Sequence, residues 1–348
     1  MELTAQQLQN IANQALDYYM KNEILSQTIQ DKPLLKAMRA AQKMFPGGKE
    51  SIRGNVKGTY TTEFMGYSYD DTVTYTNPAN VKQFDYPWKE LHSGLKVTNT
   101  ELKQDGISVV DTLNGESVSN HSKRDITRIT NIFQDKLEDM DEGSARSMNN
   151  IMWQDGTQSA KVFGGIQSII VDDPTTGVAA GIDRAANTWW RNRSFVDGNA
   201  VTASAANQTL TKQLRADIRQ LRRYGGRPNL VLCGSGFIEK LELEVSEKGT
   251  YTDEGFTKAG NTEIGMADIS ARGLGTFKYD PTLDDLGFTN RCYIIDTRHL
   301  YPMVMEGEDM KTHAPARPPE KYVLYRAMTW TGGMICRKMN CHEVIEAA

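Results

Sequence analysis

Cysteine and histidine are both scarce in this chain, which has four cysteines and five histidines among 348 residues. So few thiols in a chain of this length, with no export signal, predict reduced and buried cysteines rather than a disulfide framework. The histidines are scattered, and none lies in a recognised general-base or metal-ligand motif: His92, His121, His299, His313 and His342. The sequence therefore offers little for histidine or cysteine catalysis.

Long apolar runs are also missing. No stretch approaches the ~18 consecutive apolar residues of a membrane-spanning helix, and the mean hydropathy is -0.53. Residues Met1 to Leu8 show neither a basic leader nor an apolar signal core. We therefore expect no membrane partner, synthesis in the cytoplasm, and a mature chain that begins where translation begins.

An excess of positive charge is absent as well, since 40 Lys and Arg face 44 Asp and Glu for a net charge of -4. This balance argues against a dedicated nucleic-acid binder. One local exception lies on and after a helix predicted over Ala203–Tyr224: Arg215, Arg219, Arg222, Arg223 and Arg227. In an acidic chain we favour solvation and subunit contacts for these arginines, with nucleic-acid binding as a rival whose signature is salt-dependent DNA affinity.

Nucleophilic catalysis has one candidate. Gly234-Ser235-Gly236 follows a predicted strand and precedes a predicted helix, but the G-x-S-x-G spacing of a nucleophile elbow is missing. We interpret Ser235 as part of a turn that enters a helix. A soluble hydrolase that uses Ser235 remains a rival function.

Metal and phosphate motifs are incomplete. Cys336, Cys341 and His342 lack a second C-x₂-C half, and a separation of five in a strand puts the two sulfurs on opposite faces. The acidic pairs do not fit an EF-hand, and the glycines at 273 and 275 do not form a phosphate loop. The sequence therefore predicts no catalytic residue, no metal site, no cofactor and no enzyme activity.

The strongest predicted element is a long amphipathic helix over residues 122–153, with Ser122 as its N-cap. About 30 residues at ~1.5 Å each give a rod on the order of 45 Å long. Its apolar residues recur at helical spacings: Ile126, Ile129, Phe133, Leu137, Met140, Met148 and Met152. Glycine turns and a predicted strand, Ile166–Val171, follow it.

The N-terminal third predicts extensions rather than a core. Two helical pieces broken at Pro33 have a narrow apolar stripe and need another surface to lie on. Alternating threonines and aromatics then predict strands at Thr59–Phe64 and Thr72–Thr76. A two-stranded ribbon is poorly stable alone, so we expect support from a neighbouring chain.

The rest of the chain mixes helices and strands. A strand at Leu230–Cys233 and a helix at Phe237–Glu247 predict an α/β lobe, so the class is α+β. The predicted C-terminal strands are Arg291–Asp296, His299–Met305, Tyr322–Trp330 and Gly333–Arg337.

Several phrases and this order of elements resemble the major capsid proteins of tailed bacteriophages with the HK97-type fold, over nearly the whole chain. The phrases are Tyr86-Pro87-Trp88-Lys89, Asp155-Gly156-Thr157, Gly164-Gly165-Ile166, Gly181-Ile182-Asp183-Arg184 and Asn187-Thr188-Trp189-Trp190-Arg191-Asn192. We interpret the tryptophan pair as packing residues, not as a binding site.

The resemblance implies a division into five parts. They are an N-terminal arm (1–48), an extended hairpin called the E-loop (49–83), a peripheral domain (84–165) with the spine helix 122–153, an axial domain (166–296), and C-terminal strands that return to the peripheral domain (297–348). It also implies a virion protein, made in the host cytoplasm, that assembles as hexamers and pentamers into an icosahedral shell around double-stranded DNA. Scaffolding, portal and decoration proteins and non-specific contact with packaged DNA are the further partners that it suggests.

One alternative with the same fold stays open at this point. An encapsulin-like nanocompartment would have the same fold and enclose protein cargo instead of DNA. Some members of the capsid family reinforce the shell by a lysine–asparagine bond helped by a glutamate, for which Lys57, Asn340 and Glu343 are of suitable type. The sequence around these three residues matches no recognised motif, so we predict no cross-link.

Overall fold

The structure is a computed structural model and describes residues 30–104, 123–247, 269–271, 274–313 and 323–348. Helices and strands are mixed, which confirms the predicted α+β class. The chain forms two compact units. Among the described residues, the first contains Glu90–Met148 and Met305–Thr331, and the second contains Asp31–Lys89, Asn149–Val304 and Gly332–Ala348.

We number the elements in chain order. The helices are α1 (Pro33–Ala41), α2 (Asn99–Gln104), α3 (Lys123–Trp153), α4 (Ile166–Ile169), α5 (Thr209–Arg223), α6 (Ser235–Glu247) and α7 (Pro281–Asp285). The strands are β1 (Lys43–Phe45), β2 (Ser51–Lys57), β3 (Val81–Pro87), β4 (Lys89–Thr98), β5 (Val178–Ala179), β6 (Ile182–Asp183), β7 (Arg193–Phe195), β8 (Leu230–Cys233), β9 (Ser270–Ala271), β10 (Gly275–Tyr279), β11 (Arg291–Ile295), β12 (Leu300–Met305), β13 (Lys311–His313), β14 (Val323–Cys336) and β15 (Glu343–Glu346).

The first unit is organised around the long helix α3 and the long strand β14. Strands β4 and β13 pair with β14, and Leu137 and Met140 of the helix pack with Leu95 of β4. An ion pair of 3.1 Å joins Lys136 to Glu101. The predicted long helix is confirmed at Lys123–Trp153, and its role as the spine of a peripheral domain stays a prediction. Its predicted cap at Ser122 lies outside the described residues.

The core of the second unit is a six-stranded sheet in the order β7-β15-β11-β8-β10-β9. All residues of β8 and β11 are buried, and α5 and α6 contribute to the same apolar core. The predicted strand Leu230–Cys233 and the helix after it are confirmed. This arrangement is an α/β lobe, as the order of elements predicted.

Helix α5 begins at Thr209, six residues after the predicted start, because a buried carboxylate fixes its first turn. Glu244 of α6 accepts hydrogen bonds from the main-chain N–H groups of Leu210 and Thr211 at 3.0 Å. Burial acts to raise the pKa of Glu244, but these bonds and one from Ser204 lower it below its ordinary value. A carboxylate at a helix N-terminus satisfies free N–H groups and complements the helix dipole.

Three predictions were wrong in detail. The predicted strands at Thr59–Phe64 and Thr72–Thr76 are not strands; the pairing lies outside them, in β2 and β3. The run Ile166–Val171 begins with the helical turn α4, since a short apolar run does not distinguish strand from helix. The last two predicted C-terminal strands are one continuous strand, β14.

Strand β15 was not predicted. It pairs antiparallel with β11 and parallel with β7, so Glu343–Glu346 belongs to the same sheet as strands of the predicted axial domain. We therefore place this strand with the sheet rather than with the other C-terminal strands, and keep the remaining domain boundaries as a proposal.

Helix α1 packs its predicted apolar residues, Leu34, Leu35 and Met38, into the second unit of its own chain. The helical piece predicted before Pro33 lies outside the described residues. The four cysteines are free and buried, which confirms that prediction. In the part of the chain that the structure describes, no helix is both long enough and apolar enough to cross a membrane.

Candidate assembly surface

Strands β2 and β3 form an isolated two-stranded hairpin. They pair antiparallel from Ser51 opposite Pro87 to Lys57 opposite Val81, without a break in register. No other strand joins this sheet in the described part of the chain. The hairpin therefore depends on contacts at its base and on whatever covers its sides.

The middle and the loop end of the hairpin pack against the tryptophan pair. Trp190 is buried and donates a hydrogen bond from its indole nitrogen Nε1 to the carbonyl oxygen of Ala179 at 3.1 Å. Its ring stacks on Phe84 of β3, with centroids 6.4 Å apart. Gly58 lies so close to Trp189 that an added Cβ would overlap the indole ring. Packing, not binding, is thus the role of these two tryptophans in the subunit.

The Tyr86-Pro87-Trp88-Lys89 phrase makes a second set of structural contacts. The Tyr86 hydroxyl donates to the carbonyl oxygen of Cys336 at 3.2 Å, and burial raises the pKa of this tyrosine well above its ordinary value. Trp88 donates to the carbonyl of Lys49 at 2.7 Å and the Lys89 ammonium to that of Ala160 at 3.0 Å. The phrase ties the base of the hairpin to three separate segments of the second unit.

The glycine-rich phrases hold the end of α3. Gly165 lies so close to the carbonyl of Met152 that an added Cβ would overlap it. Trp153 donates to Asp280 at 3.1 Å. Asn149 accepts a hydrogen bond from the N–H of Leu35 at 3.2 Å and donates one to the hydroxyl of Thr282 at 2.7 Å. A helix end held by buried hydrogen bonds has a fixed position in its unit.

Residues 59–79, which we call the aromatic loop, connect the two strands of the hairpin. Every residue of this loop is exposed, and Phe64, Tyr69 and Tyr75 are at least 93% exposed. Eight of the twelve exposed large hydrophobic residues found among the described residues lie in this loop or at its end: Tyr60, Phe64, Met65, Tyr67, Tyr69, Val73, Tyr75 and Val81.

The apolar area of the aromatic loop is large enough for an interface. Its five aromatic side chains bury ~150–250 Å² each when covered, which is on the order of 1,000 Å² in total. A stable interface takes about 800 Å² from each partner. The loop therefore has the chemistry of a surface that another chain covers.

A buried cluster of charges, which the sequence analysis missed, lies in the six-stranded sheet. Arg193 of β7 donates to Asp217 of α5 at 2.6 Å and lies 3.7 Å from Glu343 of β15. Both acids are fully buried. Burial, and after it the neighbouring Asp217, raises the pKa of Glu343 well above its ordinary value. No local pattern could have revealed the cluster, because its members are far apart in sequence.

The catalytic candidates have structural explanations. An added Cβ at Gly234 would overlap the carbonyl of Thr289, so this glycine permits a close approach of two main-chain segments. The N–H of Ser235 donates to Asp284 at 3.0 Å, at the first turn of α6. Ser235 lies in a turn that enters helix α6, as predicted.

The zinc candidates Cys336, Cys341 and His342 do not form a cluster of potential metal ligands among the described residues. One group of three does form, in which Asp296, His299 and Cys341 place their ligand atoms within 4.8 Å of one another. The Asp296 carboxylate already accepts from the Arg298 guanidinium at 2.9 Å and from the N–H of Arg227 at 2.8 Å. These hydrogen bonds satisfy the buried Asp296 carboxylate, so its burial does not require a metal ion.

The cross-link candidates are poorly placed for reaction with a neighbouring chain. Glu343 is buried in the sheet of its own subunit, whereas Lys57 is exposed at the end of β2 and lies 4.9 Å from the centre of the Tyr60 ring. Asn340 is half-buried in the turn before β15. A fully buried carboxylate cannot assist a reaction at the subunit surface unless the sheet opens.

No protein-family model matches the sequence, and no curated protein matches it. Solved structures do match, and they give the chain the fold of phage capsid proteins. The capsid asymmetric unit of cyanophage A-1(L) has a TM-score of 0.64 at 12% identity, over 93% of this chain and 94% of that chain.

Two further capsids share the fold. That of cyanophage P-SCSP1u has a TM-score of 0.54 at 11% identity, over 94% of this chain and 91% of that chain. That of the Myoviridae phage XM1 has a TM-score of 0.52 at 10% identity, over 94% and 95% of the two chains. The structural likeness agrees with the resemblance that the sequence motifs indicated.

Proposed function

We propose that this chain is the major capsid protein of a tailed bacteriophage. It assembles as hexamers and pentamers into an icosahedral shell that encloses double-stranded DNA, and its role is structural rather than enzymatic. The fold shared with phage capsids supports this proposal. So do the structural explanations for the Ser235 turn and the Asp296 carboxylate.

The observation that carries the proposal is the aromatic loop. It exposes five aromatic rings at the end of a hairpin whose strands pack against Trp189 and Trp190. Covering these rings with an adjacent copy removes the apolar area from water, which is the dominant favourable term in protein association. The loop then supports the neighbour, and the neighbour supports the hairpin.

The proposed domain roles follow the HK97-type division. Residues 1–48 form the arm, 49–83 the E-loop, 84–165 the peripheral domain and 166–296 the axial domain, to which we add β15. Assembly then needs only contacts between copies, together with scaffolding, portal or decoration proteins where the phage encodes them.

The experiment compares assembly of the wild-type chain with that of a loop variant. The chain is expressed alone and with a co-expressed scaffolding protein, and particles are examined by electron microscopy and sedimentation. We expect shells from the wild type. The variant Y60S/F64S/Y67S/Y69S should keep its thermal unfolding midpoint, because these side chains contact little in the subunit, and should remain unassembled.

The matched control is V178S/L243S, which removes exposed apolar side chains outside the loop and should assemble. Normal shells from the loop variant would overturn the assignment of the loop as an interface. A wild-type chain that stays monomeric under every condition would overturn the capsid proposal. Particles isolated from infected cells that contain protein cargo instead of DNA would identify a nanocompartment.

A further inference from the structure

Helix α5 carries a row of positive side chains, which we call the basic stripe: Lys212, Arg215, Arg219, Arg222 and Arg223. All five are exposed. The opposite face of the helix is apolar and packs into the core of the second unit through Leu210, Leu214 and Leu221. The stripe is thus the solvent side of an otherwise buried helix.

The spacing of the stripe makes it one continuous surface. Its members are three, four, three and one residues apart, so they fall within ~100° of the helix circumference at 100° per residue. Neighbours at such spacings have Cβ atoms about 5–6 Å apart, and the stripe extends over ~16 Å of helix axis. Five positive charges therefore line a single ridge.

Stability of the helix explains only part of this row. Arg222 and Arg223 lie in the last turn, where positive charge complements the helix dipole. Lys212, Arg215 and Arg219 lie before that turn, and none of these three has an ion-pair partner among the described residues. The one acid of the helix, Asp217, is buried and is bonded to Arg193.

The length and the uniform charge of the stripe favour a phosphate partner. Arginine and aromatic residues also occur in protein interfaces, and the exposed Tyr224 beside the stripe has the Arg223 guanidinium 5.4 Å from its ring centre. A protein partner would need a matching row of acids, whereas double-stranded DNA presents one negative charge per ~1.7 Å of its axis, and arginine and lysine side chains commonly contact its phosphates. Exposed Arg227 and Arg337 add positive charge beyond the end of α5. Gly225, which precedes Arg227 by two residues, lies beside Lys338, and Lys338 follows Arg337 in sequence.

We propose that the basic stripe of α5 binds the phosphate backbone of double-stranded DNA without reading base sequence. This inference rests on the proposed function, since the shell is where such DNA would be enclosed. The chain as a whole carries a net charge of -4, so the contact is confined to the stripe and is weak enough for DNA to be released.

The test measures the affinity of the unassembled full-length subunit for two duplexes of equal length and different sequence, at several salt concentrations. Both duplexes should bind equally. With five phosphate contacts, raising the salt from about 50 mM to about 200 mM should weaken binding about 500-fold, because each contact contributes ~0.9 to the logarithmic slope. The variant R215Q/R219Q/R223Q keeps two contacts and should show only about a 12-fold change.

The control variant K36Q/K161Q/K278Q makes the same change in charge at exposed lysines outside α5 and should retain the wild-type slope. Equal slopes for the stripe variant and the wild type, or no binding by the wild type, would overturn the proposal. So would a stripe variant that binds DNA normally and fails to form shells, which would make the stripe a subunit contact. Shell formation is scored separately by electron microscopy, so failure of DNA binding leaves the capsid proposal standing.

Discussion

Three side chains of the sequence motifs that follow α4 bond main-chain carbonyl groups. Arg184 donates to the carbonyl of Ile169 at 2.8 Å, and desolvation lowers the pKa of its guanidinium. Arg191 donates to the carbonyl of Arg184 at 2.7 Å, and Asn192 to that of Val171 at 2.8 Å. A charged group buried against carbonyl oxygens is costly to remove, because those acceptors then lose their partner. Arg184, Arg191 and Asn192 therefore fix the conformation of the loops whose carbonyl groups they bond.

The buried Glu343 makes stability depend on pH. Because its pKa is raised in the folded chain, the folded state binds the proton more tightly than the unfolded state. The free energy of unfolding should therefore fall as the pH rises from the ordinary range of a glutamate through the raised folded pKa. The neutral side chain of Glu343→Gln removes this loss, so the stability advantage of the variant over the wild type should grow with pH.

Urea unfolding midpoints of the two proteins from about pH 4 to about pH 9 measure this difference. Asp217, Arg193 and Cys292 surround the carboxyl group and are unchanged in the variant. Glu239→Gln makes the same exchange at an exposed position on α6 and serves as the control. A stability gap between E343Q and the wild type that shrinks as the pH rises would contradict the prediction.

At the scale of elements, the sequence predicted those that pack against their own chain. The helix α3, the strand β8 and the helix α6 have an apolar pattern set by burial within the subunit, and they lie at or near their predicted bounds. The hairpin was misplaced because threonine and tyrosine at 59–76 indicate a strand only where a pleated surface is covered. In the subunit, Phe84 and Tyr86 pack against or bond other segments, whereas the rings of the aromatic loop stay exposed.

The charged cluster and β15 were missed for another reason. Glu343 is the first residue of a strand of only four residues. From the sequence alone, a glutamate at such a position indicates a turn or an exposed site rather than a buried one. Its burial depends on Arg193, which is distant in the chain and reaches it only through the parallel pairing of β15 with β7. Long-range pairing of this kind leaves no local periodicity.

The aromatic loop predicts a specific pattern of proteolysis. Between Lys57 and Lys82 the chain has no lysine or arginine, whereas it has five aromatic residues in 59–79. Chymotrypsin should therefore cut the unassembled subunit inside the loop, and trypsin should not. In assembled shells the neighbouring copy covers the rings, so we expect chymotrypsin cleavage in the loop to slow by at least about tenfold, as for a site cleaved only when it transiently opens.

Mass spectrometry of the fragments locates the cuts, and the tryptic pattern serves as the internal control. Chymotrypsin cleavage of shells at the rate seen for free subunits would show that the loop stays exposed after assembly.

For the whole molecule, the fold is retained at 10–12% identity to the three capsids described, so few side chains are held in common. Gly165 and Gly234 permit close approaches between main-chain segments. Such approaches, and the packing of the hairpin on its own subunit, do not require particular side chains on the protein surface. The fold therefore tolerates wide change in amino-acid composition.

Shells of this protein should contain no covalent links between subunits through Lys57, Asn340 and Glu343. Glu343 is buried inside its own sheet and is unavailable to a lysine from outside. Denatured shells should therefore yield only chains of 39.0 kDa in gel electrophoresis and intact-mass analysis. A ladder of larger species that disappears in shells of Lys57→Ala would prove the opposite.

The burial of all four cysteines has a practical consequence for work on such shells. Burial raises the pKa of Cys341 to about 11 and raises that of Cys292 and Cys336 as well, so these thiols resist alkylation in the native state. A single cysteine introduced on the aromatic loop or on the basic stripe would thus be the main reactive thiol of each subunit. Fluorophores or spin labels attached there would report separately on the two surfaces without removal of any native residue.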